Sequence, residues 1–111
     1  MITDEFILKS IEKGKPYILM LYKDGPNRNQ SPEEAKELQM AHLRYLFSLR
    51  EEGKLLLNGP VTDDSPLDGI GIFNSTDLKE VEQLVSGDPS VKAGRLIFEL
   101  YTMFGLPGDC I

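Results

Sequence analysis

His42 is the only histidine in this chain of 111 residues. Imidazole, with an ordinary pKa of roughly 6.5, is the side chain best suited to accept and return a proton near neutrality. At 100° per residue, Ala35, Leu38, His42, Leu46 and Leu49 fall in one narrow sector of a helix. A leucine would be ordinary in the middle of such a stripe, so the imidazole is aimed at whatever the helix packs against. General-base chemistry is one reading of that position, and a hydrogen-bonded core histidine is the other. Nucleophilic catalysis finds less support. The single cysteine, Cys110, is next to last in a Gly/Pro-rich tail, and no serine sits in a nucleophile-elbow pattern. One cysteine and one histidine are too few soft ligands for zinc, and no metal or cofactor is expected. Asp63, Asp64 and Asp68 form an acidic loop, read first as a solvated loop and second as an oxygen-ligand cation site. Gly69 and Gly71 do not make a dinucleotide fingerprint, because no third glycine and no helix start follow. Arg95, at the start of the last apolar run, is placed to pair with Asp88 or with an anionic substrate, whereas Arg44 lies opposite the apolar stripe and belongs at the surface.

The helix carrying His42 has a clear start. Ser31-Pro32-Glu33-Glu34 supplies an N-cap, a proline at the first helical position and a glutamate at N3, and the helix runs until Gly53. Ahead of it, Pro16–Tyr22 is apolar at nearly every position and closes on Asp24-Gly25-Pro26, which predicts a strand buried on both faces. Leu55–Leu57 and Gly69–Phe73 predict a long-looped hairpin, stopped at Asn58-Gly59-Pro60. Asp77 with Glu80 caps a second helix bearing Leu78, Val81, Leu84 and Val85, which Gly87 ends. Asp88 before Pro89 then reads as the cap of a short turn. Arg95–Met103 is the last strand. The order β-α-β-β-α-β predicts an α+β, ferredoxin-like fold with a four-stranded antiparallel sheet and two helices on one face.

Two helices leave the other sheet face bare. Yet the first strand offers Tyr17, Leu19 and Leu21 to one side and Ile18, Met20 and Tyr22 to the other, and the last offers Leu96, Phe98 and Leu100 opposite Ile97, Tyr101 and Met103. The bare face is therefore apolar beyond what a soluble monomer tolerates. A homodimer through the sheets is the expected solution. Met40, Leu43 and Phe47 make a second apolar flank on the first helix, which the N-terminal segment carrying Phe6, Ile7, Leu8 and Ile11 is expected to cover. Composition sets the remaining bounds. With 41% hydrophobic and 27% charged residues the chain is ordinary for one folded domain. A formal charge of −6, with a pI of about 4.7, and scattered Lys and Arg argue against nucleic acid and anionic membranes as partners. No apolar run reaches the ~20 residues of a membrane span, and the N-terminus lacks signal-peptide features, so the expected location is the cytoplasm.

Ala41-His42-Leu43, Gly53-Lys54-Leu55-Leu56 leading to Gly59-Pro60, Gly69-Ile70-Gly71-Ile72, and Asp88-Pro89 before Ala93-Gly94-Arg95-Leu96 resemble, in order and spacing, the YCII-related (YciI-like) family. The resemblance divides the chain into an N-terminal extension (residues 1–15), a YCII-related domain (16–104) and a flexible C-terminal tail (105–111). It implies a dimeric α/β-barrel whose active site pairs a histidine with an aspartate, roles that fall here on His42 and Asp88. Relatives implied by it include dehydrochlorinases of hydroxylated aromatics, and the wider superfamily includes muconolactone isomerases and small monooxygenases. Ser90 stands where an aromatic residue is common, so the resemblance does not define the pocket lining or the substrate. Chemically, a carboxylate on one imidazole nitrogen orients the ring and leaves the other nitrogen free to take a proton. That combination suits a small lyase or isomerase acting on a compact carbonyl-containing or conjugated molecule. The alternative is a non-catalytic ligand-binding or regulatory homodimer, and a third reading is an assembly module whose N-terminus recruits a partner.

Overall fold

The computed structural model describes residues 1–106. Cys110, and the expected tail from residue 107 onward, lie outside the described residues. The elements are α1 (Asp4–Glu12), β1 (Lys15–Asp24), α2 (Pro32–Glu51), β2 (Leu55–Pro60), β3 (Leu67–Phe73), α3 (Leu78–Ser86), α4 (Pro89–Lys92) and β4 (Leu96–Gly105). Gly105, expected in the tail, closes β4 opposite Lys15.

The four strands form one sheet in the order β2-β3-β1-β4, antiparallel at every contact. Alternation along β1 sends Ile18, Met20 and Tyr22 to one face, where Phe73 pairs with Ile18 and Gly69 with Tyr22. On that face they join Leu46 and Leu49 of α2, Val81 and Val85 of α3, and Leu55 in one buried core. Helix α2 starts as its capping box requires, with the Ser31 hydroxyl accepting from Glu34 N at 3.1 Å. It stops where Gly53 takes φ 76°, a backbone state that favours glycine. The Asp77 carboxylate caps α3 by accepting from Lys79 N at 3.0 Å and Glu80 N at 3.2 Å. Asp77→Ala is expected to lower the unfolding free energy by about 1 kcal/mol, read as a lower urea midpoint at unchanged slope.

The other sheet face carries Leu19, Leu21, Ile70 and Ile72 half-buried, while Ile97 and Tyr101 are each 47% exposed.

The N-terminal segment corrects one expectation. It forms a capped helix, but no residue of α1 is buried, and Phe6, Leu8, Met40 and Phe47 all stay more than half exposed. The α2 flank is therefore not covered by α1 of the same chain. The reason is the link: Lys13 and Gly14 alone join α1 to β1, and Gly14 lies against the Phe104 ring at the end of β4. The helix is held away from the body, which accounts for a radius of gyration of 16.5 Å against about 13 Å for a compact chain of this length.

Candidate active site

Tyr45, one turn beyond His42 on α2, donates its hydroxyl to the Leu84 carbonyl at 2.6 Å and so ties the end of α3 to α2. Gly87 passes directly beneath that hydroxyl, where any Cβ would overlap it. The next residue, Asp88, is thereby set against α2 although 46 positions separate it from His42.

Asp88 is fully buried, and its two oxygens do different work. Oδ1 accepts from Ser90 N at 2.9 Å and caps the single turn of α4. Oδ2 accepts from His42 Nδ1 at 2.6 Å and from the Tyr22 hydroxyl at 2.7 Å. The cap reading and the pairing reading of Asp88 hold together because each uses its own oxygen. Nδ1 must be the donor to a carboxylate, so the neutral ring carries its proton there and leaves the Nε2 lone pair free. Tyr22 also meets the His42 ring edge-on, with centroids 5.5 Å apart and planes at 66°.

Tyr22 is the member of this group that the sequence reading placed only as a sheet-face residue. Its signal was available: a phenol on the buried face of a strand needs an acceptor for its hydroxyl. Burial, then the negative charge of Asp88, push the Tyr22 hydroxyl far above its ordinary value of 10.0, so it stays a donor throughout the physiological range. A phenol with its folded-state pKa raised contributes stability that is complete below pH 10 and lost as the pH rises beyond it. Tyr22→Phe is expected to flatten that alkaline decline in urea midpoints measured against pH.

His42 lines a cleft of about 440 Å³ between α2 and the sheet, a volume suited to a small molecule. Leu43, Leu46, Pro60, Ile70 and Leu96 give it apolar walls, and Arg28, Gln39, Asn58, Asp68, Ser90 and Arg95 supply polar groups. Among the described residues Nε2 has no hydrogen-bond partner, and His42 as a whole is 8% exposed. Two expected positions are revised here. Asp68 sits within β3 and lines the cleft instead of belonging to the loop with Asp63 and Asp64, because the strand begins at Leu67. Arg95 does not pair with Asp88: it donates to Gln30 Oε1 at 2.8 Å, since Asp88 already has three donors and is closed off beneath α2. Among the described residues no group of three or more His, Cys, Asp or Glu is placed to hold a metal ion. No described helix is long and apolar enough to cross a membrane.

An antiparallel four-stranded sheet with helices packed on it makes this an α+β domain. The model of the YCII-related domain matches residues 17–104, and the chain belongs to that family. Among solved structures it is similar to 5-chloro-2-hydroxyhydroquinone dehydrochlorinase from Burkholderia phenoliruptrix AC1100, in complex with 2,5-dihydroxybenzoquinone. The two share 28% identity over 80% of this chain and 90% of that one, with a TM-score of 0.53. A hypothetical protein of Arabidopsis thaliana, solved in solution, shares 14% identity over 87% of this chain and 93% of that one, with a TM-score of 0.48. No curated protein matches the chain. The architecture is the expected α+β, ferredoxin-like one, with four antiparallel strands in a single sheet.

Proposed function

We propose that this chain is a small lyase or isomerase in which His42 is the general base, acting on a compact hydroxylated or carbonyl-bearing ring. The observation that carries this reading is the 2.6 Å contact between Nδ1 and Asp88, which leaves Nε2 as a proton acceptor in a closed-in cleft. Asp88 orients the imidazole and stabilises the cation that forms when Nε2 takes the proton. Tyr22 donates to the same Asp88 oxygen as His42 and so helps to hold the carboxylate in place. The dehydrochlorinase similarity supports a halogenated hydroxyquinol among the first substrates to try. Loss of hydrogen chloride from such a ring starts from its keto tautomer, in which one hydroxyl proton has moved to the chlorine-bearing carbon. A base then takes a second hydroxyl proton, that O–H pair becomes a C=O bond, the ring double bond shifts, and chloride departs with its bonding pair to leave a quinone. No redox partner is needed.

The test is a panel of chlorinated hydroxyquinols, halogenated enols and small lactones, with product analysis for wild type and His42→Gln. Turnover of at least one class by wild type, lost in the variant, is the expected result. Equal turnover by both proteins would end the general-base reading.

A cytoplasmic homodimer through the open sheet face completes the proposal, supported by the 47% exposure of Ile97 and Tyr101 on that face. Sedimentation equilibrium should report two copies, and Ile97→Asp should shift the protein to one. A monomeric wild type would remove the dimer.

A further inference from the structure

The cleft contains a guanidinium that makes no ion pair within the protein. Arg95 lies half-buried just ahead of β4 and lines the same cleft as His42. Its Nη1 donates to Gln30, a neutral group. Among the described residues no carboxylate lies within ion-pair distance of it. Arg28, the other guanidinium of the cleft, differs in this respect. It is already engaged with Asp24 at 3.0 Å and with the Arg95 carbonyl at 2.9 Å.

Two carboxyl groups lie at this end of the cleft, and neither is within ion-pair distance of Arg95. Asp24 is taken by Arg28. Asp68 has its Oδ2 buried without a donor, and burial followed by the neighbouring Asp24 raises its affinity for a proton, against a smaller opposing effect of the two arginines. Asp88, deeper in, is saturated by its three donors. A half-desolvated guanidinium in that setting is a fork without its usual planar oxyanion.

We infer that Arg95 is the anion-recognition residue of this cleft, and that the molecule bound beside His42 carries a ring oxyanion, either a phenolate or a carboxylate. This rests on the cleft being the substrate site, as proposed above. The arrangement also has a chemical use. When Nε2 takes a proton from a second hydroxyl, that O–H bond breaks, an N–H bond forms, and the electron pair stays on the substrate. The resulting build-up of negative charge falls in a cleft whose wall already carries the Arg95 guanidinium.

The experiment measures binding to the full-length protein, with 4-nitrophenolate and benzoate as the two oxyanion sources. The uncharged ring analogues 4-nitroanisole and benzamide serve as controls. Wild type is expected to prefer the anion of either pair by about tenfold to a hundredfold, as a charge-assisted hydrogen bond would give. That preference should weaken with added salt. Which pair shows the larger preference assigns the oxyanion. Arg95→Gln should abolish the preference, and Arg95→Lys should restore part of it without the fork geometry. Gln30→Ala, which frees the Arg95 guanidinium while leaving its charge, should keep it. His42→Gln should lose turnover and keep the anion preference. Equal binding of charged and neutral rings, or an Arg95→Gln protein that keeps the preference, would overturn the inference while leaving the base intact. No binding of any probe would overturn both readings.

Discussion

Asp88→Ala is expected to be the most destabilising single substitution in the described chain, lowering the unfolding free energy by about 3–5 kcal/mol. Asp88 has no exposed surface and accepts hydrogen bonds from Tyr22, His42 and Ser90 N. Alanine would strand the Tyr22 hydroxyl and Nδ1 of His42 as buried donors, each unable to recover its bond from water. The α4 turn would lose its cap at the same time. Urea unfolding followed by circular dichroism checks this. A loss below about 1 kcal/mol would mean that water replaces the carboxylate without penalty.

The largest expected functional effect is on turnover. His42→Gln keeps a polar side chain of similar reach yet removes the proton acceptor, and the rate should fall by about 10² to 10⁴. Asp88→Asn separates orientation from bulk chemistry. An amide N–H₂ in the place of Oδ2 would face Nδ1 and drive the ring proton to Nε2, the wrong nitrogen for a base, while Oδ1 could still cap α4. The asparagine variant should therefore fold with a smaller penalty than alanine and lose activity on the scale of His42→Gln. Because the two residues act as a unit, the double variant should be scarcely worse than either single one. Additive losses in a double-mutant cycle would show that they work independently.

The parts of this arrangement legible in the sequence are those encoded locally. Ser31 with Glu34 marks the start of α2, the 3.6-residue spacing aims His42 inward, and the period-2 alternation of β1 separates its two faces. These patterns together give the strand and helix order and hence the α+β fold. What local patterns do not carry is registry between distant segments. Tyr22 looks like one more residue of an apolar strand until its pairing in the sheet brings it to Asp88, 66 residues away. Asp88 looks like a cap and is one; only the second oxygen, turned toward α2, adds its other role. Asp68 reads with its acidic neighbours because strand starts are poorly marked in sequence, and a start at Leu67, two residues before Gly69, places it in β3 and the cleft. Apolar matching suggested that α1 would cover Met40 and Phe47. A two-residue link seated against Phe104 decides otherwise, and no count of hydrophobic residues contains that constraint.

The central claim is that His42 presents an unprotonated Nε2 to the cleft because Asp88 holds the ring proton on Nδ1. With a single histidine in the chain, its two ring nitrogens can be observed directly by nitrogen-15 NMR correlated to the ring carbon-bound protons. The neutral ring should show a protonated Nδ1 and a bare Nε2, and only the Nε2 signal should move substantially when a small oxyanion enters the cleft. A ring protonated on Nε2, or an Nε2 signal indifferent to every ligand that binds, would contradict the account.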